Sequence, residues 1–152
     1  MASPNPTKPN TLAVAIGANL PGQEGPPIST LKAVRPKLEK IILEWIESIQ
    51  SKKIDSKSRD KELIFTWSGI FETDPFGGPV NQPKYLNAVL LVDGPKLSYI
   101  EPSCDKALEL LDLFLNLESN FGRDRSNENI RWNSRVLDID FLAWGELQVN
   151  NK

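Results

Sequence analysis

VLDIDFLAW, residues 136–144, reads as a core strand late in the chain. Residues two apart on a strand point the same way, so Asp138 and Asp140 share one face while Ile139 points to the other. Val136, Leu137, Phe141 and Leu142 surround them with apolar side chains. Two like charges on such a strand are costly unless something neutralises them. A hard cation is a natural partner, because Mg²⁺ takes one or two carboxylates together with phosphate oxygens. The plainer reading, an aspartate pair at a solvent-facing strand end, stands beside it.

Upstream of that strand lie Arg123, Arg125, Arg131 and Arg135, within thirteen residues. Guanidinium groups match phosphate oxygens in a bidentate way. A loop of arginines leading into a metal-binding strand is what a nucleotide triphosphate site needs; taken alone, the loop is a solvated basic segment. Before the loop, Ser103 caps a helix that runs to about Phe121, where Gly122 ends it. Ala107, Leu111, Phe114 and Phe121 centre its apolar arc, and Glu118 falls inside that arc. Glu118 either orients an arginine or contacts a ligand, or it reaches water from a frayed helix end. Trp132, among arginines, either stacks on a base or covers a site, or it packs on the core.

Further outward, residues 12–16 (LAVAI) form a buried strand closed by Gly17, Ala18 and Asn19. Leu31, Val34, Leu38, Ile41, Ile42, Trp45, Ile46 and Ile49 recur at helical spacing; Pro36 predicts a kink or two helices. Residues 51–61 read as a polar loop. Residues 63–73 alternate as one strand, with Phe65, Trp67, Gly69 and Phe71 on one face and Ile64, Thr66, Ser68 and Ile70 on the other. A Pro/Gly-rich loop spans 74–83, followed by a strand over 85–92 on which Tyr85 and Asn87 share a face. An asparagine there suits a heterocycle edge or ordinary sheet packing. Residues 93–102 are a connector, and 147–149 the start of a further strand. The order strand, helix, strand, strand, helix, strand predicts an α+β, ferredoxin-like βαββαβ sandwich: an antiparallel sheet with helices packed on it. Residues 1–10 are expected to be a disordered tail, and 11–152 one domain.

The chain has 152 residues, with 18 basic against 20 acidic side chains, so no global basic field points to nucleic acid. It has no histidine, which excludes His-ligated zinc, Ser–His–Asp triads and a histidine general base. A lone cysteine, Cys104, excludes an internal disulfide and fits a reducing cytosol. No apolar run is long enough to span a bilayer. There is no Walker motif; Gly17, Ala18 and Asn19 are too short to count as one.

Together these residues resemble the 6-hydroxymethyl-7,8-dihydropterin pyrophosphokinase family over roughly residues 12–149. Gly17, Ala18 and Asn19 are similar to the family's Gly-Ser-Asn; residues 73–77 (TDPFG) resemble its Thr-Pro-Pro-Leu-Gly; residues 82–87 (QPKYLN) match its Gln-Pro-x-Tyr/Phe-Leu-Asn. Glu118, Gly122, Arg123 and Arg125 fall on its Glu-x-x-x-Gly-Arg-x-Arg pattern, and residues 131–140 (RWNSRVLDID) resemble its Arg-Trp-Gly-Pro-Arg-x-Leu-Asp-Leu-Asp. Asp74, Leu115 and Asn133 depart from the pattern, and residues 44–61 are longer than the usual connector. The chain ends where the family continues with a Pro-His-Pro-like segment, an arginine and an aromatic.

The resemblance implies transfer of diphosphate from ATP to the pterin hydroxymethyl group, with release of AMP, in folate synthesis in the cytoplasm. It implies two Mg²⁺ ions on Asp138 and Asp140, with ATP as co-substrate. Thr73, Pro75, Phe76, Tyr85 and Asn87 would line the pterin pocket. Glu118, Arg131 and Arg135 would hold the nucleotide; Arg123 and Arg125 would act from a mobile loop, Arg135 on phosphate, and Trp132 in closing the site. A monomer that binds neither nucleic acid nor membrane is expected. The alternatives are a non-catalytic pterin- or nucleotide-binding relic and, more remotely, an RNA-binding module, although the sheet-face aromatics and basic charge of the latter are missing.

Overall fold

The computed structural model describes residues 10–50, 63–124 and 134–147. Its elements run β1 (Leu12–Ala18), α1 (Pro27–Gln50), β2 (Ile64–Trp67), β3 (Phe71–Thr73), β4 (Tyr85–Asp93), α2 (Pro95–Ser98), α3 (Cys104–Asn120) and β5 (Asp138–Trp144). The strands make a five-stranded antiparallel sheet in the order β2-β4-β1-β5, with β3 also on β4. This is the α+β arrangement that the element order predicts.

One face of the sheet is dry. Leu12, Val14 and Ile16 of β1, Ala88, Leu90 and Val92 of β4, and Ile139 of β5 are buried together with Leu31, Val34, Leu38 and Ile42 of α1 and Leu110, Phe114 and Leu117 of α3. Trp45 meets Trp144 edge-on, with ring centroids 5.1 Å apart, at one end of this core. Alternation then sends the intervening side chains to the other face, where no helix lies among the described residues.

The structure narrows or corrects the sequence expectations in three places. α1 runs through Pro36 as one helix, which removes the two-helix alternative. The missing amide costs roughly 3 kcal/mol, but Leu31 and Val34 before the proline and Leu38 and Ile42 after it are buried in one core, and that shared burial outweighs the loss. A short helix, α2, occupies part of the expected connector, with proline at its start and Leu97 buried.

The expected strand over 63–73 is two strands. Trp67 pairs with Leu90 but Phe71 pairs with Asn87, so one residue is extra on that side. The bulge follows Ser68, whose amide donates to Val89 O (2.8 Å) and whose Oγ accepts from Val89 N (2.8 Å). The extra residue flips the alternation. Phe65 and Trp67 pack on the core, but beyond the bulge Ile70 packs inward while Phe71 is exposed, the reverse of the face assigned from sequence.

Candidate active site

The bulge brings Phe71 and Thr73 onto the open face of the sheet. Paired residues in antiparallel strands lie on the same side, so the register defines a row across four strands: Phe71, Asn87, Gly17 and Asp138. Thr73 and Tyr85 form the next row on one side. Val89, Ala15 and Asp140 form the next on the other. Two strand spacings separate the Asn87 and Asp138 backbones, about 10 Å.

Gly17 keeps the middle of that row low. A Cβ there would lie 3.0 Å from Asn87 Oδ1 and 3.8 Å from Tyr85 Cδ1. Asn87 Nδ2 donates to Thr73 Oγ1 at 2.7 Å, tying β4 to β3. Tyr85 and Asn87 are half-buried, Pro75 likewise, and Phe76 is 82% exposed on the loop beyond.

At the other end of the row, acid and base are matched through Asp138. The α3 C-terminus sets this up. Ser103 Oγ accepts from Lys106 N at the start of the helix, and Gly122, with φ +95°, turns the chain back at its end. Glu118 is 2% exposed on the buried face, and Arg123 is 7% exposed. Arg123 NH1 donates to Glu118 Oε2, to Leu137 O (3.3 Å) and to Asp138 Oδ1 (3.0 Å). Arg135 NH1 donates to the same Asp138 oxygen at 2.9 Å. Among the sequence readings of Glu118, the structure shows the one in which it orients an arginine.

Among the described residues, no guanidinium hydrogen-bonds Asp140. Its side chain reaches solvent, yet protein packed around the carboxyl strips water from it. This desolvation, then the charge of Asp138 and a hydrogen bond shared with it, raises its pKa from 3.8 to about 7; Arg135 opposes the rise and Glu118 adds to it. Among the described residues no cluster of three or more acidic, histidine or cysteine side chains could hold a metal alone. Two aspartates on one open face, one of which resists ionisation while no cation is near, fit a magnesium ion that would also bind phosphate and water.

The sequence marks Asn19 only as part of a motif. It is 1% exposed and joins three segments. Its Oδ1 accepts from Arg135 N (2.7 Å), and its Nδ2 donates to Pro83 O (3.0 Å), Gln82 Oε1 (3.4 Å) and Ser134 Oγ (3.4 Å). Its position after an apolar run was the only local signal, since every partner is distant in sequence. Arg125, Arg131 and Trp132 lie outside the described residues, as do residues 1–9 and 51–62.

A family model described as "7,8-dihydro-6-hydroxymethylpterin-pyrophosphokinase (HPPK)" matches residues 13–151. The chain belongs to that family. Relatives named "2-amino-4-hydroxy-6-hydroxymethyldihydropteridine pyrophosphokinase" align with it in part. The one from Haemophilus influenzae is 33% identical over 89 residues, covering 59% of this chain and 48% of the relative. That from Pseudomonas aeruginosa is 35% identical over 79 residues (52% and 41%). That from Mycobacterium tuberculosis is 40% identical over 82 residues (54% and 37%). The chain thus spans about half the length, or less, of the pyrophosphokinases it matches. No helix among the described residues is long and apolar enough to cross a membrane.

Proposed function

We propose that this chain transfers the diphosphate of ATP to the hydroxymethyl oxygen of 6-hydroxymethyl-7,8-dihydropterin, releasing AMP, as a cytoplasmic monomer in folate synthesis. The observation that carries this reading is the row across the sheet: an aromatic and amide end at Phe71 and Asn87, and a carboxylate end at Asp138, joined over Gly17.

Each end has its task. Asn87 offers a donor and an acceptor to a pterin edge, with Thr73, Pro75, Phe76 and Tyr85 around it. Arg135 binds phosphate beside Asp138, and Arg125 and Arg131 contribute further guanidinium groups. Trp132 covers the site. Arg123, held by Glu118, fixes Asp138 in place. Asp138 and Asp140 would hold two Mg²⁺ ions, which would neutralise phosphate charge.

The pterin oxygen forms a bond to the β-phosphorus. The bond from that phosphorus to the oxygen bridging it to the α-phosphorus breaks, and AMP departs with that oxygen. The hydroxyl proton passes to solvent. Such transfer depends mainly on positioning and charge stabilisation, so a chain with no histidine can support it.

The test is AMP release from ATP and Mg²⁺ with and without the pterin. Pterin-dependent AMP is expected. A folded sample that binds both ligands and releases none would make the chain a binding relic.

A further inference from the structure

The two ends of the sheet row are borne on different segments, and one buried side chain connects those segments. Asn19 sits just beyond β1. On one side its Nδ2 holds Pro83 O at 3.0 Å, at the end of the loop that leads from Thr73 to Tyr85. On the other, its Oδ1 accepts from Arg135 N at 2.7 Å, while its own amide donates to Arg135 O at 3.0 Å. That two-sided grip fixes the backbone of Arg135, three residues before Asp138.

A second layer reinforces the first. Ser134 Oγ donates to Gln82 Oε1 (3.3 Å) and receives Asn19 Nδ2 (3.4 Å), and Gln82 Nε2 donates to Gly77 O (3.0 Å). Asn19, Gln82 and Ser134 therefore form a polar clasp between the 74–84 loop and the segment of Ser134 and Arg135 that leads into β5. An amide at 1% exposure leaves little room for another arrangement. Its donor and acceptor are both committed, in opposite directions.

We propose that Asn19 is a positioning residue that sets the pterin loop in register with the phosphate-binding strand, with Gln82 and Ser134 as its partners. The proposal rests on the pterin and ATP reading of the site. Asn19 touches neither substrate; it acts through Pro83 on one side and Arg135 on the other.

Asn19→Asp separates the two grips. The variant keeps an oxygen for Arg135 N but loses the donor to Pro83 O, Gln82 and Ser134. The pterin end should loosen while the phosphate end stays. Dissociation constants for the pterin and for a Mg²⁺-bound, non-hydrolysable ATP analogue would be measured separately by calorimetry, with amide hydrogen exchange followed over residues 76–84. Pterin affinity should fall about tenfold, which corresponds to the loss of one or two net hydrogen bonds. Analogue affinity should stay within about twofold, and exchange should quicken at 76–84 with β4 still protected. Ser134→Ala, a milder change, should move the same two readouts in the same direction by about two- to threefold, and serves if the first variant does not fold.

A merely structural asparagine would lower the unfolding temperature and weaken both ligands together, and that result overturns the proposal. So does unchanged pterin affinity in Ser134→Ala and in a folded Asn19→Asp. A wild-type protein that binds neither ligand overturns the functional reading, and this proposal with it.

Discussion

Arg123 and Arg135 donate to the same oxygen, Oδ1 of Asp138, at 3.0 and 2.9 Å, from opposite directions along the chain. Arg123 is anchored below by Glu118. Arg135 is anchored by backbone bonds to Asn19. Asp138 is therefore held in place by two guanidinium groups, which share its charge.

Asp138→Asn keeps an acceptor for both arginines but removes the charge. Turnover should fall at least about a hundredfold, the scale of losing one electrostatic stabiliser. Asp138→Ala should lose as much activity, and about 1–3 kcal/mol of stability as well, because two guanidinium groups lose a partner. Steady-state kinetics and urea denaturation of both variants separate the two effects. Equal destabilisation by both would deny the acceptor role.

Glu118→Gln takes one buried carboxylate from Arg123, which keeps its bond to Asp138 Oδ1. Breaking a buried ion pair from one side costs about 3–5 kcal/mol. Because Asp138 still faces Arg123, urea denaturation should show a loss toward the lower end of that range. A loss below about 1 kcal/mol would mean that Glu118 reaches water.

Asp140 gives a pH signature. Its folded pKa, about 7, lies above its ordinary 3.8, so between these values the folded protein binds a proton that the unfolded chain releases. Without metal, its contribution makes the protein less stable as pH rises from about 4 to 7, and constant above. The unfolding-temperature difference between wild type and Asp140→Asn should therefore widen in the variant's favour from pH 5 to pH 8. Mg²⁺ together with ATP should bind more tightly above pH 7 and release protons near it. A difference that is flat with pH would contradict the crowding of the two carboxylates.

Much of this was legible in the sequence. Period-two spacing set Asp138 and Asp140 on one face, and helical counting buried Glu118. The Ser68 bulge was not legible: residues 63–73 alternate without a break, and only the pairing of Trp67 with Leu90 and of Phe71 with Asn87 reveals the extra residue. Nor was the clasp at Asn19, whose partners are more than sixty residues away. Pro36 does not divide α1 in two, because the core holds the residues on both sides of it.

Gly17→Ala places a Cβ 3.0 Å from Asn87 Oδ1. Asn87 must then shift, and its bond to Thr73 weakens. A several-fold rise in the KM for the pterin is expected, with about 1–3 kcal/mol of lost stability from overpacking. An unchanged KM would detach Asn87 from the pterin site.

The most direct test is the identity of the products. Wild-type protein, ATP, Mg²⁺ and 6-hydroxymethyl-7,8-dihydropterin would be incubated and the products resolved by mass spectrometry. AMP and a pterin carrying a diphosphate should appear in equal amounts, and only with Mg²⁺. ADP with a singly phosphorylated pterin, or unchanged pterin from folded protein, would contradict diphosphate transfer at this site.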